Sequence, residues 1–316
     1  MQVRLKQSIV EDTELRRVID LECNLPPGED SPDYKEAIQG RPGNPVPDRL
    51  ERPQGYGFDN YNQIFKGRAE RALPEKDAVP GSGVASLIAD MDKAGIAVGI
   101  LGGASNPTLA RVAKAHPDRF ISLAAMSPLD GMRAVREFER LVREESIGGM
   151  RVVALYNMIP ASDRRYYPLY AKCVELDVPV RVYTSMNYAN DRPYDLGHPR
   201  HLDDVAIDFP ELRIVAGLAG WPWVNDMVGL LRRHPNLYCD TAAHRPRHFA
   251  TEGSGWEQFL RFGNTLLQDK IMVGLSRGIF GVPFEELLGE YEALPLKDSV
   301  MEKWLYKNAA NFFRLN

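Results

Sequence analysis

Short apolar runs alternate along the chain with longer stretches in which apolar residues recur every three to four positions. The first pattern suits buried strands and the second amphipathic helices. Strands are read at 18–21, 97–101, 120–125, 150–155, 179–183, 212–216, 237–241 and 271–273. Helices are read at 84–94, from Asn106 onward, and at 134–144, 167–176, 200–209, 223–233, 256–267 and 298–313. Several boundaries carry their own punctuation. Gly95 stops the first helix, Asn106 caps the second ahead of Pro107, and Gly148-Gly149 lead into the fourth strand. Strands separated by helices predict an α/β fold, a (β/α)8 TIM barrel, in one domain over residues 1–316.

One stretch breaks the rhythm. Residues 26–60 hold Pro26, Pro27, Pro32, Pro42, Pro45, Pro47 and Pro53 among several glycines. This is a long insertion after strand 1, where a barrel would place it over the active-site mouth.

Composition narrows the function classes. Of 316 residues, 44% are hydrophobic and 26% charged, as in an ordinary water-soluble globular protein. Net charge is −4 and no basic tract stands out, which argues against nucleic acid. No apolar run approaches the ~20 residues of a membrane span, and the start lacks the apolar core of a signal peptide. Cys23, Cys173 and Cys239 have neither metal spacing nor an even number, so they are expected as reduced residues in a cytoplasmic protein.

Five segments together resemble a known family. They are Val18-Ile19-Asp20-Leu21-Glu22-Cys23-Asn24, Pro179 to Tyr183, Phe209 to Gly220, Asp269 to Ser276, and Asn308 to Phe313. Their order and spacing resemble the amidohydrolase-related family, in the branch with the aminocarboxymuconate-semialdehyde and resorcylate decarboxylases and the pyrone-dicarboxylate lactonases. The resemblance runs from about residue 18 to 315 and implies the barrel. The family usually carries metal ligands after strands 1, 5, 6 and 8. Here those places hold Glu22 and Asn24, Tyr183, Leu218 and Ser276. Only Glu22 is a strong donor, so no metal at that site and no other cofactor is expected.

The ends of the strands supply the candidate chemistry. Alternation places Asp20, Glu22 and Asn24 on one face. Glu22 suits a ligand, a general base or the partner of an arginine, with Asp20 as the other base and Asn24 orienting a substrate oxygen. Arg181 stands two residues before Tyr183 and can pair with Glu22 or Asp20, a guanidinium in place of a divalent ion. Tyr183 is a proton donor or oxyanion partner, and Tyr156 is a polar liner. Trp221 and Trp223 line a pocket for a planar ligand or pack the next helix. Ser276 is a nucleophile if a base reaches it, and otherwise structural. Arg277 suits a bidentate grip on a carboxylate. His244 is an acid–base candidate, while His116 and His234 end helices. His198 and His201, three apart, offer a weaker alternative metal pair.

These residues predict a metal-independent enzyme acting on a small, carboxylated, ring-like compound. Hydrolysis of a lactone or activated ester comes first, and decarboxylation of an aromatic or muconate-type acid is the alternative. The third reading is a catalytically inactive binding module or partner subunit. A homodimer is expected by analogy with barrels of this kind.

Overall fold

The computed structural model describes residues 17–26 and 82–315. Nearly all of the expected insertion at 26–60 lies outside the described residues. Eight parallel strands stand in sequence order in one sheet: β1 Val18–Cys23, β2 Ile96–Leu101, β3 Phe120–Ala125, β4 Ile147–Val152, β5 Val180–Tyr183, β6 Ile214–Gly217, β7 Leu237–Asp240 and β8 Ile271–Met272. Helices alternate with them: α1 Ser82–Lys93, α2 Asn106–Ala115, α3 Met132–Glu144, α4 Tyr167–Glu175, α5 His201–Asp208, α6 Val224–Arg233, α7 Glu257–Gly263 and α8 Phe284–Glu292. The architecture is the (β/α)8 barrel that the periodicity predicts.

The last seam is closed sparingly. Leu21 N–H donates to Val273 O at 3.0 Å, and Asp20 Oδ1 accepts Leu275 N–H at 2.7 Å. Apolar residues on the strands pack against the helices, and a smaller cluster joins Ile19, Leu123, Val215 and Met272 to Phe312 of the closing helical segment.

Three local readings change. The cap of α2 is Ser105, whose Oγ accepts Thr108 N–H, rather than Asn106. Asn106 instead bonds both backbone groups of Ala125, fixing the end of β3. The fourth strand runs at 147–152 instead of 150–155, because Gly148 and Gly149 lie inside it. A Cβ on Gly148 would meet Ile121 at 2.6 Å, and one on Gly149 would meet Pro179 O at 2.7 Å. Those glycines permit close strand packing; they do not precede the strand. Finally, α8 fills a stretch where no helix is read from sequence.

Candidate functional site

Glu22 lies at the centre of a buried ion network. Its Oε2 meets Arg181 Nη1 at 2.5 Å, and its Oε1 accepts from Arg151 Nη2 at 3.3 Å. Burial alone would raise the Glu22 pKa, but the two guanidiniums outweigh it and hold the carboxylate below its usual value. Arg181 turns its other edge to Asp240, donating from Nε at 2.6 Å and from Nη2 at 3.1 Å. That is a bidentate pair. Burial opposes the charge on Arg181, yet Asp240 and Glu22 keep it firmly protonated.

The network continues through backbone. Asp240 Oδ1 also accepts the N–H groups of Leu218 and Ala242, each at 3.0 Å. Leu218, Ala219 and Gly220 all take positive φ, which curls the chain after β6 and aims the Leu218 amide at Asp240. The Leu218 carbonyl in turn takes the ring N–H of His244. Leu218 thus serves the site through its peptide group.

His244 is set among aromatics. Its ring centroid is 5.7 Å from that of Trp221 and 5.1 Å from that of Trp256. Burial lowers its pKa to about 4, with the Leu218 carbonyl only partly opposing, so the ring is neutral at pH 7. Among the described residues its buried Nε2 has no hydrogen-bond partner, and it therefore presents a lone pair. Trp221 stacks on Tyr188 at 6.4 Å with 9° between the planes, extending the aromatic wall.

Among the described residues three other buried polar atoms lack partners on this side of the barrel: Asp20 Oδ2 on β1, Asn24 Oδ1 after β1 and Arg151 Nε near the end of β4. Arg151 is seated by the Gly102-Gly103 step after β2. A Cβ on Gly102 would lie 2.9 Å from its Cδ and Nη1, and one on Gly103 would lie 2.8 Å from Nη1.

Other expected residues are placed differently. Asp20 makes no bond to either arginine. The β1 register against β2 is irregular between Asp20 and Cys23, so strict alternation fails there, and Asp20 closes the β1–β8 seam. Arg277 pairs with Asp90 of α1 at 2.7 Å and lies over Phe284. Ser276 is buried at φ 53°, and its Oγ accepts Ala243 N–H at 2.8 Å. It pins two loops, and no carboxylate or histidine bonds its hydroxyl among the described residues. Tyr183 donates its hydroxyl to Met186 O at 3.0 Å. Trp223 packs on His198 and Tyr194, away from His244. Tyr156 sits on the short helix Ala154–Asn157 that follows β4.

A divalent metal does not fit this donor set. Both Glu22 oxygens face guanidiniums, and Asp240 is spent on Arg181 and two amides. Among the described residues no three His, Cys, Asp or Glu side chains gather to hold a metal. All six histidines and all three cysteines fall within those residues. His198 and His201 do not form a pair either, since His201 bonds Ser162 and His198 faces Asp226.

Two residues of the network, Asp240 and Arg151, are not anticipated from sequence. Asp240 reads as the polar tail of an apolar strand. Arg151 reads as the start of its strand, because the boundary there is displaced by three residues.

Comparison with known proteins agrees with this architecture. The amidohydrolase family model matches residues 62–315, and the chain belongs to that family. An uncharacterised TIM-barrel protein from Bordetella bronchiseptica is similar at 24% identity, with a TM-score of 0.68 over 94% of this chain and 98% of that one. A 5-carboxyvanillate decarboxylase from Novosphingobium aromaticivorans, complexed with manganese and 4-hydroxy-3-methoxy-5-nitrobenzoic acid, is 19% identical. The match covers 95% of this chain and 96% of that one with a TM-score of 0.63. A 2,6-dihydroxybenzoate decarboxylase from Rhizobium is 19% identical over 95% of this chain and 99% of its own, with a TM-score of 0.58. At such identities the likeness shows the fold. None of the curated proteins compared matches the chain. No helix of the described residues is long and apolar enough to cross a membrane.

Proposed function

We propose that this chain is an enzyme that decarboxylates a small hydroxylated aromatic acid, using its own side chains. The observation carrying this reading is that, on the C-terminal side of the strands, Arg151 Nε, Asn24 Oδ1 and His244 Nε2 have no partner among the described residues. Buried groups without partners are costly, about 1–3 kcal/mol each, and a site that retains three of them suits a polar ligand. Arg151 has an open Nε–H for a carboxylate, the amide oxygen accepts a hydroxyl, and the imidazole lone pair accepts a proton. The Trp221 and Trp256 rings beside His244 suit a flat ligand. Named substrates of the structural neighbours, 5-carboxyvanillate and 2,6-dihydroxybenzoate, have this chemistry.

In this reading His244 takes the proton of a ring hydroxyl and delivers it to the adjacent carboxyl-bearing carbon. The ring becomes a β-keto acid in effect. The bond to the carboxylate then breaks, carbon dioxide leaves, and the electron pair returns to the ring oxygen, which regains its proton from water. The neutral state of His244 suits the first transfer.

Hydrolysis of a lactone or activated ester is the second reading, because the same lone pair can draw a proton from water. One experiment separates them. Purified protein is incubated with 2,6-dihydroxybenzoate, 5-carboxyvanillate, 2-hydroxybenzoate and a set of aryl lactones. Carbon dioxide release and product masses are followed for wild type and His244→Phe. Carbon dioxide formed by the wild type, and at least 100-fold more slowly by the variant, is the expected result. Lactone opening alone supports the second reading. Binding without turnover of any compound makes the chain an inactive binding module.

A further inference from the structure

We propose that the fixed cation of this barrel is the Arg181 guanidinium, which stands where the family's first ligand position would otherwise direct its carboxylate at a divalent metal. Three of its nitrogens are engaged at once, two with Asp240 and one with Glu22. A guanidinium is always charged and its planar fork matches two carboxylates in fixed directions, which a lysine ammonium does not reproduce.

The seat is built for this group. Gly217, at the end of β6, would place a Cβ 3.0 Å from Arg181 Nη2 and 3.1 Å from its Cζ. A side chain there would force the guanidinium aside. Tyr183 and Gly217 are register partners, so the aromatic residue in the family's strand 5 ligand position stands directly opposite the glycine that makes room for Arg181.

Charge completes the argument. Arg151 and Arg181 bring two positive charges to Glu22, the same charge as one divalent ion. A metal at Glu22 would have to displace both arginines, and among the described residues no three His, Cys, Asp or Glu side chains gather to complete its shell. Arg181 also holds Asp240, which orders Leu218 and, through the Leu218 peptide, His244. It is a positioning residue.

The test does not use turnover. Metal content of protein purified without chelator is measured by elemental mass spectrometry. Melting temperature is measured with and without added Mn²⁺ and Zn²⁺. The expected result is well below one equivalent of metal and no shift with either ion. Arg181→Ala is then expected to lower Tm by roughly 10 °C, and methylguanidinium to recover part of the loss where methylammonium does not. If Arg181→Ala fails to fold, Gly217→Ala takes its place, with a smaller Tm loss and still no metal response. About one equivalent of Mn or Zn lost in Glu22→Gln overturns the proposal. So does a metal-induced Tm rise lost in Glu22→Gln, or an Arg181→Ala protein as stable as wild type. A failure to find a substrate leaves this inference standing, and bound metal leaves the aromatic-acid reading open to its own assay.

Discussion

Arg151 and Arg181 are register partners on β4 and β5, and their guanidiniums close on the single carboxylate of Glu22. Two like charges side by side in a wall are held together by that carboxylate, ionised between them, while Asp240 balances the far edge of Arg181. Glu22→Gln is therefore expected to cost on the order of 3–5 kcal/mol, read from denaturant midpoints. Adding Arg151→Met to the same protein should recover part of that loss. Strict additivity of the two changes would show that the arginines do not meet through Glu22.

Asp20 gives a pH signature. Burial raises its pKa from the usual 3.8 to about 7, although the Leu275 and Glu22 amides pull the other way. The unfolded chain releases this proton at lower pH than the folded one, so this group's contribution to stability falls as pH rises between those two values. Asn keeps the Oδ1 acceptor and cannot ionise. Asp20→Asn should match wild type near pH 4 and exceed it by on the order of 1–3 kcal/mol at pH 8. Parallel Tm–pH curves for the two proteins would refute this.

For His244 the sign is reversed. Its pKa is lowered to about 4 from 6.5, so the unfolded chain takes up the proton first as pH falls. Stability from the neutral ring is complete above 6.5 and is lost on acidification toward 4. Proton NMR should show the His244 ring unchanged through neutrality. A midpoint near the usual histidine value would mean that the ring is hydrated.

Gly102→Ala probes the seat of Arg151. The new methyl would press on Cδ and Nη1 of that side chain. Binding of benzoate-type anions is expected to weaken about 10-fold, and that of the neutral benzamides to stay unchanged. Calorimetry on both ligand series checks it. An equal loss for both would place the anion elsewhere.

The barrel was legible because strand and helix periods differ and punctuation is strong, as at Gly95 and Pro107. Glu22, Arg181 and His244 were legible as candidates because they stand at or near strand ends. Their partners were less so. Arg151 was hidden by a strand boundary that the Gly148-Gly149 pair displaced. Asp240 was hidden because a polar residue ending an apolar run gives no sign of what it faces across two strands. Arg277 shows what sequence leaves open: a cation beside a strand end can also pair with an outer helix, as it does with Asp90. The role of Leu218 lies in its backbone, which side-chain chemistry does not announce.

The seam held by Asp20 also bears on how the molecule is made. Asp20 and Leu275, which it binds, are separated by 255 positions. During synthesis the first strand emerges long before its second neighbour exists, and its carboxylate must wait, hydrated, until the eighth strand arrives. Contacts of such long range form late and slow folding. A nascent chain stalled before β8 would hold an open sheet with β1 exposed along one side, a surface for chaperones to shield until the ring shuts.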